Sequence, residues 1–392
     1  MPPELVLRAP ARATAVGGPS VAVLVLAAAV FGTGFAEPTL VENVAVGDLA
    51  ILTVIAGFLA RALAGGSLVS DLRHRLALPA LLIALGSLLA AAHVGLQEWI
   101  VGDLSRDAAV GLAFVAVVDT ARREGTTAQR AGAWALALAA CVVSVQLLVD
   151  DGIRAAATFP NPNVAGHFLA TALLALLVLP LPRSVRLGVV PVAVVGLLRT
   201  SSFGALLMVV VGLGYFALGA LRSVVPVHRQ RVLVLAATAG LAVTVGVLVA
   251  PDLLPEDTSE RSGLSTERLD RSASGRVLAW SEGAELVLRH PLGIGPGSTG
   301  GLELLSAEQE LHNEPLAYLV ERGVIGLVGY VALPVGLWRM APPGGAARAL
   351  LLAFGLSTLV REPSHYRHLW LVLALVVVHD TTSRAGADRG RI

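Results

Sequence analysis

The chain alternates long apolar runs with short polar turns. A bilayer core needs about 20 mostly apolar residues per helix. Runs of that kind stand at roughly 20–36, 47–64, 77–96, 107–119, 130–149, 164–182, 184–198, 203–221, 231–251, 323–338, 346–360 and 368–380. The pattern predicts an all-α polytopic membrane protein of about twelve transmembrane helices, forming one transmembrane domain over 1–392. The runs at 107–119, 184–198 and 346–360 are short. The first run follows Arg8 and Arg12 and ends near Phe35 and Ala36, as a signal peptide would. It is read as a helix, because removing it inverts the charge pattern of the turns.

That pattern comes from arginine. If both termini are cytoplasmic and the spans alternate, 18 of the 29 arginines fall in inner segments. Six fall in short outer segments: Arg106, Arg154, Arg199, Arg322, Arg361 and Arg367. The other five lie in one long extracytoplasmic loop, 252–312, where the positive-inside rule loses force. The first half of the loop, Asp252 to Ser274, is polar and expected to be irregular. From Arg276 to Arg289, apolar Val277, Trp280, Ala284 and Val287 recur at helical spacing. This predicts an amphipathic helix, N-capped by Ser274, with Trp280 at the membrane interface. The stretch Gly293-Ile294-Gly295-Pro296-Gly297 ends it. No internal repeat is visible.

Composition agrees with lipid as the main solvent. Hydrophobic residues make up 55% of the chain and charged residues 15%, against about 25% charged in soluble domains. A soluble enzyme and a disordered chain are excluded. The net charge of +1 gives no reason to expect nucleic acid as a partner. All 29 basic residues are arginine, the bias of a GC-rich genome. Cys141 stands alone in an apolar run, which excludes a disulfide framework and a cysteine metal cluster.

Polar groups near membrane depth are costly and default to a functional reading. Most of them fall on the outer side: Asn161, Asn163 and His167; Arg199 to Ser202; Arg276, Arg289 and His290; His312 to Glu314; and Arg361 to His368. The span centres are nearly free of charge and show no half-repeat. A transporter, the default for twelve spans and the alternative carried here, fits that poorly.

Three stretches carry a family resemblance: Arg289-His290-Pro291-Leu292-Gly293-Ile294-Gly295-Pro296-Gly297, Leu311-His312-Asn313-Glu314-Pro315-Leu316, and Glu321-Arg322-Gly323-Val324-Ile325-Gly326-Leu327. Together they resemble the signature of the O-antigen ligase and O-antigen polymerase superfamily. Asn161-Pro162-Asn163 and Thr200-Ser201-Ser202 agree with it in order and spacing. The resemblance implies a metal-independent glycosyltransferase acting outside the cytoplasmic membrane. Its donor would be a glycan on a polyprenyl pyrophosphate, and its acceptor a glycan, lipid or protein. By that likeness His312 is the general base and Arg276 a ligand for the donor pyrophosphate. The family often has Arg where this chain has Phe203, and Arg199 is the nearest replacement.

The chemistry suits these residue types. Attack of a sugar hydroxyl needs a base near neutrality, and histidine titrates there. Arginine forks match pyrophosphate oxygens and stay charged. The outer segments hold no Asp-x-Asp and no cluster with metal-ligand spacing, so neither a metal nor a cofactor is implied. Each residue also has a plainer reading. Asn161 and Asn163 can form turns, and His312 can cap a helix or be a hydrogen-bonded structural residue. Arg199 can anchor a span boundary, Arg289 can be loop surface, and Arg367 can pair within an interfacial belt. Gly323 and Gly326 read as bend or packing glycines.

Overall fold

The computed structural model describes residues 19–35, 39–41, 44–64, 70–150, 155–222, 266–300, 311–359 and 366–389. Among these, twelve α-helices follow in order. They are α1 (Val21–Gly32), α2 (Val46–Leu63), α3 (Ser70–Val94), α4 (Glu98–Glu124), α5 (Thr126–Val149) and α6 (Pro162–Leu176). Then come α7 (Arg183–Arg199), α8 (Phe203–Arg222), α9 (Thr266–Arg289), α10 (Glu314–Met340), α11 (Ala346–Ser357) and α12 (Arg367–Arg389). A short antiparallel ribbon pairs Thr39–Val41 with Val44–Ala45. Eleven of the twelve apolar runs each lie on one helix. The twelfth, 231–251, is outside the described residues, as are Arg361, Glu362 and His365.

Three helices contain segments long and apolar enough to cross a membrane: 75–94, 126–149 and 314–340. Four shorter ones are also apolar, at 21–32, 162–176, 203–219 and 346–357. The short run at 107–119 belongs to a helix of 27 residues, α4, whose first turns carry Asp103, Arg106 and Asp107. The last long helix is not straight. Gly323 has φ 64 and ψ −171, outside helical space. Tyr318 and Tyr330 lie 12 residues apart, which is about 18 Å on a straight helix, yet their ring centroids are 4.4 Å apart. The chain therefore folds back at Gly323, and 314–322 lies beside 324–340.

The main core comes from α1, α4, α5, α6 and α12. Around it, α3 packs on α10, α8 on α6 and α11, and α5 on α7. Small residues permit the closest approach, as is common between membrane helices. A Cβ at Gly86 would stand 2.5 Å from the Gly326 nitrogen, and one at Gly329 2.7 Å from the Ile83 nitrogen. Helix ends are closed by side chains. Asn161 caps α6, accepting from the Asn163 and Val164 nitrogens at 3.0 and 3.1 Å, with Pro162 at the first helical position. Arg186 donates to the carbonyls of Leu176 and Leu179, and Arg348 to those of Trp338 and Ala341.

The amphipathic helix begins at Thr266, not Arg276. Residues 266–274 are thus helical rather than irregular, and Ser274 lies inside the helix rather than capping it. Its protein-facing stripe is also different. Ala279 and Gly283 are buried, whereas Val277, Ala284 and Leu288 are exposed.

Candidate active site

Two of the signature stretches meet at one joint. The Ile294 nitrogen donates to the Val320 carbonyl at 2.9 Å, and the Gly295 nitrogen to the Glu321 carbonyl at 3.0 Å. These bonds satisfy carbonyls at the end of segment 314–322, which the break at Gly323 would leave without helical partners. The fit is tight in both directions. A Cβ at Gly323 would stand 2.6 Å from the Pro291 carbonyl oxygen, and one at Gly293 would collide with the Glu321 carbonyl. Both glycines also need positive φ, 64° and 94°. The loop 291–297 and the turn at 321–323 therefore build one structure, which explains why both are glycine-rich.

Arg322 locks this joint. It is 1% exposed, the largest fully buried side chain among the described residues. Its Nη2 donates to Asp103 at 2.5 Å and to Asp107 at 2.6 Å, both from α4. Its Nε donates to Ser87 of α3 at 3.1 Å, and its Nη1 to Glu321 at 3.3 Å. The guanidinium lies 4.3 Å from the centre of the Tyr318 ring. Glu321 in turn accepts from Thr299 Oγ1 at 2.5 Å. A buried guanidinium with this many partners ties α3, α4, α10 and the glycine loop together. Arg322, read from the sequence as part of a short outer segment, is buried among the helices.

Segment 314–322 presents His312 and Asn313 at its start. Asn313 is the N-cap. Its Oδ1 accepts from the Leu316 nitrogen at 3.0 Å, and its Nδ2 donates to the Leu359 carbonyl at 3.3 Å. His312 is half-buried and has φ 47, the left-handed region. For a non-glycine residue this costs about 1–3 kcal/mol and marks a conformation its surroundings enforce. Immediately before it, the Leu311 carbonyl accepts a bond from Trp280 Nε1 at 2.7 Å. Trp280 thus faces the His312 segment. Arg276 lies four residues earlier on α9, so it shares the face of Trp280, about 6 Å along the axis. Trp280 therefore links the helix that carries Arg276 to the segment that carries His312.

Residues 188–331 match the family model described as O-Antigen ligase. Over this region the chain is similar to the O-antigen ligase family. No curated protein matches the chain. The matched O-antigen ligase region holds Arg199, Arg276, Arg289, His312 and Asn313, together with the whole glycine joint. The N-terminal and C-terminal helices lie outside it. A membrane location follows from the family and the apolar helices together.

The remaining predicted residues stand elsewhere around the O-antigen ligase region. Arg199 donates to the carbonyls of Leu147 and Asp150, closing the end of α5. Arg289 is exposed and pairs with Glu285 one turn earlier. His290 is half-buried, its ring 5.8 Å from that of His93. Arg367 donates to Asp48 at 3.0 Å and to the Phe35 carbonyl at 2.9 Å, joining α12 to the first two helices. The Asn163 carbonyl contacts His167 Nδ1 at 2.7 Å. His167 belongs to a second aromatic cluster with Tyr366 and His368, whose ring is edge-on to Phe168 at 5.5 Å. Sequence reasoning missed Trp280 as a contact of the His312 segment, and missed Asp103 and Asp107 as partners of Arg322. Two carboxylates at i and i+4 on one helix face, with Arg106 as the single cation beside them, were the available signal.

Proposed function

We propose that the chain is a metal-independent glycosyltransferase that takes a glycan from a polyprenyl-pyrophosphate carrier. The acceptor is a second glycan, a lipid or a protein. The observation that carries this reading is the hydrogen bond from Trp280, one turn along α9 from Arg276, to the Leu311 carbonyl beside His312, within the region that matches the O-antigen ligase model. His312 is the general base for the acceptor hydroxyl, and general-base help is worth about 10²–10⁴-fold. Arg276 holds the donor pyrophosphate as its charge grows. Arg199, Asn313, Asn163, Arg289 and Arg367 are further candidate substrate contacts, beside the protein partners given above.

A lipid substrate suits the bundle. An apolar cavity of about 400 Å³ lies between α3, α4, α10 and α12 and reaches Tyr318 and Asp107 at its polar end. In this reading the chain is one transmembrane domain, with residues 252–312 as an extracytoplasmic loop. It sits in a bacterial inner membrane with both termini cytoplasmic, and the reaction takes place on the extracytoplasmic side.

The test uses proteoliposomes holding only this chain. An undecaprenyl-pyrophosphate-linked oligosaccharide should be consumed, with the glycan appearing on a new carrier. An intact donor, together with solute uptake by the same vesicles, would replace the enzyme by a transporter.

A further inference from the structure

We propose that Trp280 is a positioning residue for His312, so that one face of α9 both meets the donor and sets the base. The proposal rests on the reading of His312 as the base.

The left-handed backbone at His312 must be held from both sides. Downstream, the hold is plain. Asn313 caps α10 and reaches the Leu359 carbonyl, while the Glu314 nitrogen donates to the Thr358 carbonyl at 2.9 Å. Upstream, α9 provides it. Trp280 Nε1 donates to the Leu311 carbonyl at 2.7 Å, one residue before His312. Leu311 itself is fully buried and lodged against Gly283, where a Cβ would stand 2.8 Å from Leu311 Cδ2 and 3.3 Å from Leu316 Cδ2. The indole therefore fixes the plane of the 311–312 peptide, and with it the direction in which the His312 side chain leaves the backbone. A phenylalanine would fill much of the same space, so packing alone does not call for an indole N–H at this point.

Arg276 stands one turn away on the same rigid helix. A displacement of α9 on binding an anion at Arg276 would reach the His312 peptide through Trp280. This gives the side chain a role in turnover that is separate from donor affinity.

Trp280→Phe removes the donor and keeps an aromatic ring. Benzothienylalanine at the same position removes only the N–H and serves if the phenylalanine variant does not insert. Turnover of undecaprenyl-pyrophosphate-linked oligosaccharide is followed in proteoliposomes made with total membrane lipid of the producing cells as the acceptor source. For either variant kcat should fall about two- to tenfold, the rate equivalent of one hydrogen bond, with the donor KM unchanged. The same substitution is then made in a His312→Gly background, with and without added imidazole. There it should have no effect, because a free base needs no peptide to aim it. Unchanged kcat in the His312-containing enzyme overturns the proposal. So does an equal loss in the His312→Gly background, which would show Trp280 acting on the fold generally. Full turnover by His312→Gly alone instead removes the base assignment on which the proposal stands.

Discussion

Helix α4 carries an arginine–aspartate cluster at each end, built from the same two residue types in different surroundings. At one end Arg61 and Arg123 both reach Asp119, at 2.6 and 3.0 Å, with the arginine side chains 37% and 40% exposed. At the other end Arg322 reaches Asp103 and Asp107 at 2.5 and 2.6 Å, with its side chain 1% exposed. The first cluster ties two neighbouring turns of the bundle in contact with solvent or headgroups. In the second, Arg322 and Asp103 are buried and only Asp107 is partly exposed, so the buried charges depend mainly on one another. The same residue types thus act as an anchor in one place and as a keystone in the other. What separates them is burial and the joint that Arg322 serves.

Removing the buried cation should produce the largest effect. Arg322→Met leaves Asp103 and Asp107 without their shared partner, a loss of about 3–5 kcal/mol. It should appear as poor accumulation and a sharply lower melting temperature in detergent. Adding Asp103→Asn and Asp107→Asn should recover part of that loss. If the single variant melts like the parent, the keystone description is wrong. Next in size is Gly323→Ala, which asks for φ 64 from an alanine and places its Cβ against the Pro291 carbonyl. About 1–3 kcal/mol is expected from the backbone conformation alone, with limited proteolysis of the 291–299 loop as a second readout. The half-exposed cluster should matter least: Arg61→Met is expected to cost under about 1 kcal/mol. A loss there equal to that of Arg322→Met would erase the difference between the two ends of α4. Arg289→Ala, at an exposed pair, should leave melting unchanged.

The helices were legible because each apolar run is long, and burial of the backbone in lipid leaves helix as the available structure. The bend at Gly323 agrees with reading Gly323 and Gly326 as bend or packing glycines, whereas the capping by Asn161 needed the structure. Other features were hidden for physical reasons. Arg322 finds Asp103 and Asp107 more than 200 positions away, and no local period records such a pairing. Counting arginines by turn placed it outside, because a residue at the start of an apolar run looks like an anchor. On α9 the apolar stripe reads from Val277, Trp280, Ala284 and Val287. Of these Trp280 and Val287 meet the protein, but the closest approach is at Ala279 and Gly283, small residues that register weakly as apolar but let Leu311 come close. The helix itself starts at Thr266 because polar residues can be helical without an apolar period to announce it. At the site, the resemblance supplied His312 and Arg276. The contact that joins their segments, Trp280 to Leu311, needed the fold.

The central claim is that His312 acts as the base in glycan transfer from a lipid pyrophosphate. Its most direct measurement is donor turnover by wild-type and His312→Ala protein in the same proteoliposomes, with equal insertion verified by melting. The account predicts a fall of about 10²–10⁴-fold in kcat with intact folding. Undiminished transfer by the alanine variant would contradict it.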